Sequence, residues 1–181
     1  MAETSLSLAD LGPRICILGP SNSGKSTLAD AIGRKAGLQV VHLDQLHHMP
    51  GTHWMPRPTE EFHALHDGAI MQDHWVIEGN YSSCMPSRFA RASGVILLDV
   101  STVRSLGRYL RRTWFERGRI GGLENAGERV TWEMIRYIAF SSSGKRRNYA
   151  ALVERLMLPC VFASSSAAIH RLYTAWSLER R

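Results

Sequence analysis

Cysteine is scarce in this chain: Cys16, Cys84 and Cys160 are the only three in 181 residues. An odd number without metal-type spacing argues against a disulfide framework and against a cysteine-based zinc site. Cys16 and Cys160 fall in apolar runs that read as core strands, so reduced, buried thiols in a cytoplasmic protein account for them. No apolar run is long enough to cross a membrane. Residues 1–13 lack a basic start followed by an apolar segment, so they do not read as a secretion signal; they read as a loose tail. Internal repeats, low-complexity segments and a helix-turn-helix signature are all missing. So is H-E-x-x-H, although eight histidines are present. His47 and His48 are adjacent and should point to different sides. His63 and His66 sit near the polar margin of a helix face, and His42 lies inside a strand as a satisfied core residue. None of these patterns specifies a metal.

What is present describes an ordinary globular protein, 44% apolar and 21% charged, of a size for one α/β domain over residues 1–181. The net charge of +6 fits either nucleic acid or polyanionic small molecules, and the placement of the charges must decide.

The most informative stretch is Gly19, Pro20, Ser21, Asn22, Ser23, Gly24, Lys25, Ser26 and Thr27, which reads G-x-x-x-x-G-K-[ST]. An apolar run, 15–18, precedes it, and Leu28 and Ile32 follow at helical spacing. Strand, glycine-rich loop and helix are the context in which backbone N–H groups and a helix N-terminus cradle phosphates. Lys25 would reach the β- and γ-phosphates of ATP. Ser26 would hold Mg²⁺, and Thr27 would support the α-phosphate side.

Along the chain, a helix over 25–36 should stop at Gly37. Strands are predicted at 39–43, 75–77, 95–98 and 160–163. Thr59 should cap a helix with Phe62, Leu65 and Ala69 on one face, and Ile169, Leu172, Tyr173 and Trp176 mark a last helix. Residues 45–58 read as a structured loop, and further helices are predicted at 130–140 and 146–157. Alternating strands and helices imply five parallel strands covered on both faces, a three-layer α/β/α sandwich, and the P-loop motif makes the expected fold that of a P-loop NTPase. Ligands of such sheets bind beyond the carboxyl ends of the strands. The first four strands lead there into the P-loop, Asp44, Glu78 and Asp99. Asp44 could take a proton from an acceptor hydroxyl, or cap a turn. Glu78 and Asp99 compete as the metal-side acid, and strand order should separate them.

Acids are nearly absent from 104–119, where Glu116 stands alone among arginines. Arg104, Arg108 and Arg111 share a helix face beside an apolar face of Val103, Leu106, Leu110 and Trp114. Such a stripe can be a solvated face or a nucleic-acid contact; transferring phosphoryl oxygens are the favoured partners. The glycine-rich, basic segment at about 117–129 would be a lid, bringing Arg117 and Arg119 near the phosphates.

Taken together, the P-loop, His42-Leu-Asp44-Gln-Leu46 with Pro50-Gly51 and Trp54, Glu78-Gly-Asn-Tyr81 and the arginine-rich helix resemble one bacterial family. It is labelled DNA topology modulation protein, FlaR-like, and groups with adenylate-kinase-like P-loop kinases and ATPases. The resemblance implies strand order 2-3-1-4-5 and a basic helical lid before the last strand. It also implies that Glu78, beside the P-loop strand, is the metal-side acid with Ser26. The family more often carries Asp than Glu at that place. The reading that follows is a phosphotransferase using ATP and Mg²⁺ on a small, nucleotide-like acceptor. Asp44, Glu78 and Asn80 would bind the acceptor; Lys25, Asp44, Arg108 and Arg111 would be catalytic. The alternative is an ATP-binding regulator that contacts DNA or a partner protein.

Overall fold

The computed structural model describes residues 6–52, 54–100, 149, 151–152 and 155–180. Five strands, β1 (Arg14–Leu18), β2 (Gln39–His42), β3 (Trp75–Glu78), β4 (Gly94–Leu98) and β5 (Cys160–Ala163), form one parallel sheet in the order β2-β3-β1-β4-β5. Order and direction agree with the expectation from sequence. The chain runs from β1 outward to β2, back to β3 beside β1, then across β1 to β4. The strand order therefore reverses about β1, and the loop that follows β1 lies at the reversal.

The central strands alternate strictly. Ile15 and Ile17 of β1, Val76 of β3 and Ile96 and Leu98 of β4 enter one apolar cluster. Cys16 and Leu18, Trp75 and Ile77, and Val95 and Leu97 enter another. Successive side chains of a strand point to opposite faces, so a strand apolar at every position must be covered on both. α1 (Lys25–Ala36) and α5 (Ser166–Ala175) supply Leu28, Ile32, Ile169 and Tyr173 to the first cluster. α3 (Thr59–Ile70) and α4 (Met85–Arg91) supply Ile70, Met85 and Phe89 to the second. Each fully buried aliphatic side chain is worth about 1.5–3 kcal/mol, which is what fixes β1 and the P-loop behind it. α1 ends at Gly37, whose N–H reaches Gly33 O.

Four local expectations are corrected. The described part of the segment 1–13 is no loose tail. A 3-10 turn, Ala9–Leu11, is closed by Ser7 and Asp10, whose carboxylate accepts from both the N–H and the hydroxyl of Ser7. Leu11 is fully buried, and Leu6 O accepts from Trp176 Nε1 at 3.0 Å. β2 stops at His42, and residues Leu43–His47 form a short helix, α2, so Asp44 sits in a first helical turn. Thr59 does not cap α3; Pro58 takes that place and no side chain caps it. The buried face of α3 is Phe62, His66 and Ile70, leaving Leu65 exposed. The buried row is i, i+4, i+8, with Phe62 against His47 and Tyr81, Ile70 in the second cluster and a histidine in the middle. The predicted helix at 130–140, most of that at 146–157, and the lid at 117–129 lie outside the described residues.

Candidate active site

The parallel sheet brings the ends of β1, β2, β3 and β4 to one edge. β1 enters the loop at Gly19, and α1 begins directly after Gly24. Gly19 has φ 147°, and a Cβ there would lie 2.5 Å from the Leu98 carbonyl oxygen, so only glycine fits this approach to the end of β4. Lys25, Ser26 and Thr27 form the first turn of α1, whose N–H groups have no acceptor within the helix. That turn, with its dipole, is the anion-binding end of the helix. Lys25 Nζ donates to Pro20 O at 2.9 Å and so arches back over the loop.

Asn80 holds the loop from the side. Its Oδ1 accepts from Gly19 N–H at 3.2 Å and its Nδ2 donates to Gly19 O at 2.9 Å. The amide thus copies a backbone pairing partner beyond the end of β3. This differs from the acceptor contact expected of Asn80, since its amide is engaged with the P-loop. Gly79 is fixed as well: its N–H donates to Ile17 O, and its carbonyl accepts from the buried Arg88 Nη2 at 3.1 Å. Arg88 carried no sequence signal, because a cation in a short helix reads as solvated.

The next residue, Tyr81, donates its hydroxyl to Asp44 Oδ1 at 2.8 Å. Residues 80 and 81 therefore tie the P-loop and Asp44 to one short segment. His47 lies against Tyr81 and Phe62, with ring centroids 4.7 and 5.1 Å away. Burial, and next the charge of His48, pull the His47 pKa below the usual histidine value, against the pull of Asp44. The imidazoles of His47 and His48 do not diverge as expected: Nδ1 of one lies 3.3 Å from Nε2 of the other. The histidine-rich loop folds back on α2, where Met49 N–H donates to Met55 O and Arg57 Nε to Leu46 O.

Glu78 is the buried acid of the site, 3% exposed. Its Oε1 accepts from Ser26 Oγ at 2.9 Å and lies 3.0 Å from His42 Nδ1. Burial alone would raise the carboxyl pKa. The His42 bond, the charge of Lys25 and the Ser26 bond outweigh it and hold the group below the usual glutamate value. Glu78 is thus an anion beneath the P-loop. Strand order does not single it out, because β4, which leads into Asp99, also pairs with β1. The Ser26 bond does. His42, expected as a satisfied core residue, ends β2 in register with Glu78, and the contact with Oε1 is what satisfies it. No sequence signal pointed to this role, because the register that sets the two strand ends side by side is a tertiary fact.

A serine hydroxyl and a carboxylate in contact are hard oxygen donors. They suit Mg²⁺, which takes one or two protein oxygens and fills its remaining positions with water and phosphate. Among the described residues no group of three or more His, Cys, Asp and Glu side chains could hold a metal ion by itself. Arg108 and Arg111 lie outside the described residues. Among the described residues no helix is long and apolar enough to cross a membrane.

No family model matches the chain, and no curated protein matches it. The resemblance to FlaR-like proteins read from the motif blocks is not confirmed by these comparisons. Among solved structures, a gluconokinase from Sinorhizobium meliloti 1021 is similar at 14% identity and TM-score 0.54, covering 92% of this chain and 93% of that one. A shikimate kinase from Bacteroides thetaiotaomicron is similar at 18% identity and TM-score 0.52, covering 92% and 99%. The fold of this chain is that of the P-loop kinases.

Proposed function

We propose that the protein is an ATP-dependent phosphotransferase acting on a small hydroxyl- or phosphate-bearing acceptor. The observation that carries this reading is the contact between Ser26 Oγ and Glu78 Oε1 at the mouth of a P-loop. It joins the two side chains a P-loop enzyme needs on its metal side. When bound there, Mg²⁺ would neutralise phosphate charge and orient the nucleotide phosphates. Lys25 leaves Pro20 O for a phosphate oxygen, and the first turn of α1 supplies backbone donors. Asn80 keeps the loop in shape by gripping Gly19.

Asp44 faces the acceptor in this reading. Tyr81 orients the carboxylate, which accepts the proton of the attacking hydroxyl. The rings of His47 and Tyr81, backed by the buried Phe62, would flank a flat or apolar part of the acceptor, consistent with a nucleotide-like molecule. Arg108 and Arg111 would stabilise charge on the transferring phosphoryl. Both similar structures named above are called kinases, which agrees with this assignment. We place the reaction in the cytoplasm, in keeping with three free cysteines.

The test is an ADP-release screen with Mg-ATP across nucleosides, nucleotides, sugars and small alcohols. A kinase gives release that depends on one acceptor class. ATP binding without any acceptor-dependent release, joined to salt-sensitive duplex DNA binding, would replace it with a regulator.

A further inference from the structure

We propose that His42 is a positioning residue that fixes Glu78 for the metal ion, an inference that rests on the nucleotide-binding reading above. His42 is the last residue of β2 and pairs in register with Glu78 on β3. Its Nδ1 lies 3.0 Å from Glu78 Oε1, and both side chains are nearly buried, 11% and 4% exposed. The carboxylate is ionised and can only accept, so Nδ1 carries the proton and donates it. Ser26 Oγ donates to the same oxygen. Two donors on neighbouring elements therefore converge on one atom of Glu78.

The convergence matters because glutamate is long. It has one more rotatable bond than aspartate, and that freedom must be removed before the carboxylate can serve at one place. The backbone here is already fixed. A Cβ on Gly79 would lie 2.9 Å from Leu43 Cβ, so the residues that follow Glu78 and His42 are packed against each other. Side-chain freedom is what remains, and the bond from His42 removes it. Ser26 supplies one bond to that oxygen and keeps a lone pair for the metal ion; the bond from His42 is a second restraint, from the neighbouring strand. Were that hydroxyl drawn away, His42 would still hold Oε1. Ligands of a metal are often oriented in this way by a neighbouring hydrogen bond, and loss of such a partner typically costs about 10–100-fold in metal affinity.

The test reads the Mg²⁺ dependence of ATP affinity by calorimetry on the full chain, comparing Mg²⁺ with EDTA, alongside the melting temperature. His42→Ala should leave affinity in EDTA unchanged and reduce the gain given by Mg²⁺ about tenfold or more. His42→Asn, whose amide nitrogen can stand where Nδ1 does, should restore most of it. Glu78→Gln should lose the same gain, and adding His42→Ala to it should cost nothing more. If His42→Ala does not fold, His42→Phe keeps a ring without a donor and gives the same comparison. A purely structural histidine would lower the melting temperature while leaving the Mg²⁺ gain intact, and that result overturns the proposal. So does an Asn variant as poor as the Ala variant, or additive losses in the double variant. A native protein that binds no ATP overturns the nucleotide reading itself, and this inference with it.

Discussion

Single residues at the edge of the sheet divide the work by what they touch. The positions of Lys25, Ser26 and Glu78 were legible in the sequence because the P-loop motif fixes the first two and the third ends an apolar strand run. His42 and Asn80 were not. A histidine inside a strand pattern looks like core, and an asparagine after Glu-Gly looks like a substrate contact. The register of β2 on β3 and the return of Asn80 to Gly19 are tertiary facts, invisible to spacing. Glu78→Gln should cut the Mg²⁺-dependent affinity for ATP about tenfold or more, whereas Asp99→Asn should change it little. Titrations of both folded variants against Mg-ATP check this. A larger loss from Asp99→Asn would move the metal ion to the other side of β1.

Elements were read well where one periodicity dominates and poorly where several signals compete. The five strands and the helices α1 and α5 follow their apolar patterns closely. α2 was hidden because Leu43 continues the apolar run of β2 although its backbone is helical. α3 was rotated because a histidine, polar by type, takes the fully buried position of its inner face. Burial depresses the His66 pKa, and the Asp67 bond opposes this only partly. The sign follows: the unfolded chain binds the proton more readily, so the stability contributed by neutral His66 is present above about pH 6.5 and lost as pH falls below it. Thermal melts from pH 7 to 5 should therefore fall less for His66→Leu than for the native protein. Equal slopes would mean that His66 titrates alike in the folded and unfolded states. The amino-terminal turn has a similar lesson. Leu11 sits fully buried against Gly94, so Leu11→Ala should cost about 2–5 kcal/mol in denaturant unfolding. A tail would cost nothing.

At the scale of the whole molecule, the sheet order sets the chemistry. Placing β1 between β3 and β4 puts the P-loop at the strand reversal, with Glu78 on one side and Asp99 on the other. Asp44 reaches the same edge through Tyr81. The fold was legible because alternation of strand and helix leaves few arrangements, and the P-loop marks which strand is central. The surroundings of Asp44 were not legible, since they are built from short segments whose contacts depend on that arrangement. Net charge of +6 is consistent with a polyanionic substrate, and the arginines at 104–119 concentrate it. Arg108→Ala and Arg111→Ala should each lower kcat by about 10³-fold while ATP still binds, and lysine should rescue only in part. Unchanged kcat would assign the stripe to solvent, and lost DNA affinity with full turnover would assign it to nucleic acid. The central claim is transfer of a phosphoryl group from ATP held at the P-loop. It is tested most directly by mass spectrometry of an acceptor incubated with Mg-ATP and the native protein, beside Lys25→Ala. The account predicts one phosphoryl group gained by the acceptor for each ADP formed, and none with a folded Lys25→Ala protein. ADP formed with only free phosphate, whatever acceptor is present, or equal transfer by Lys25→Ala, would contradict it.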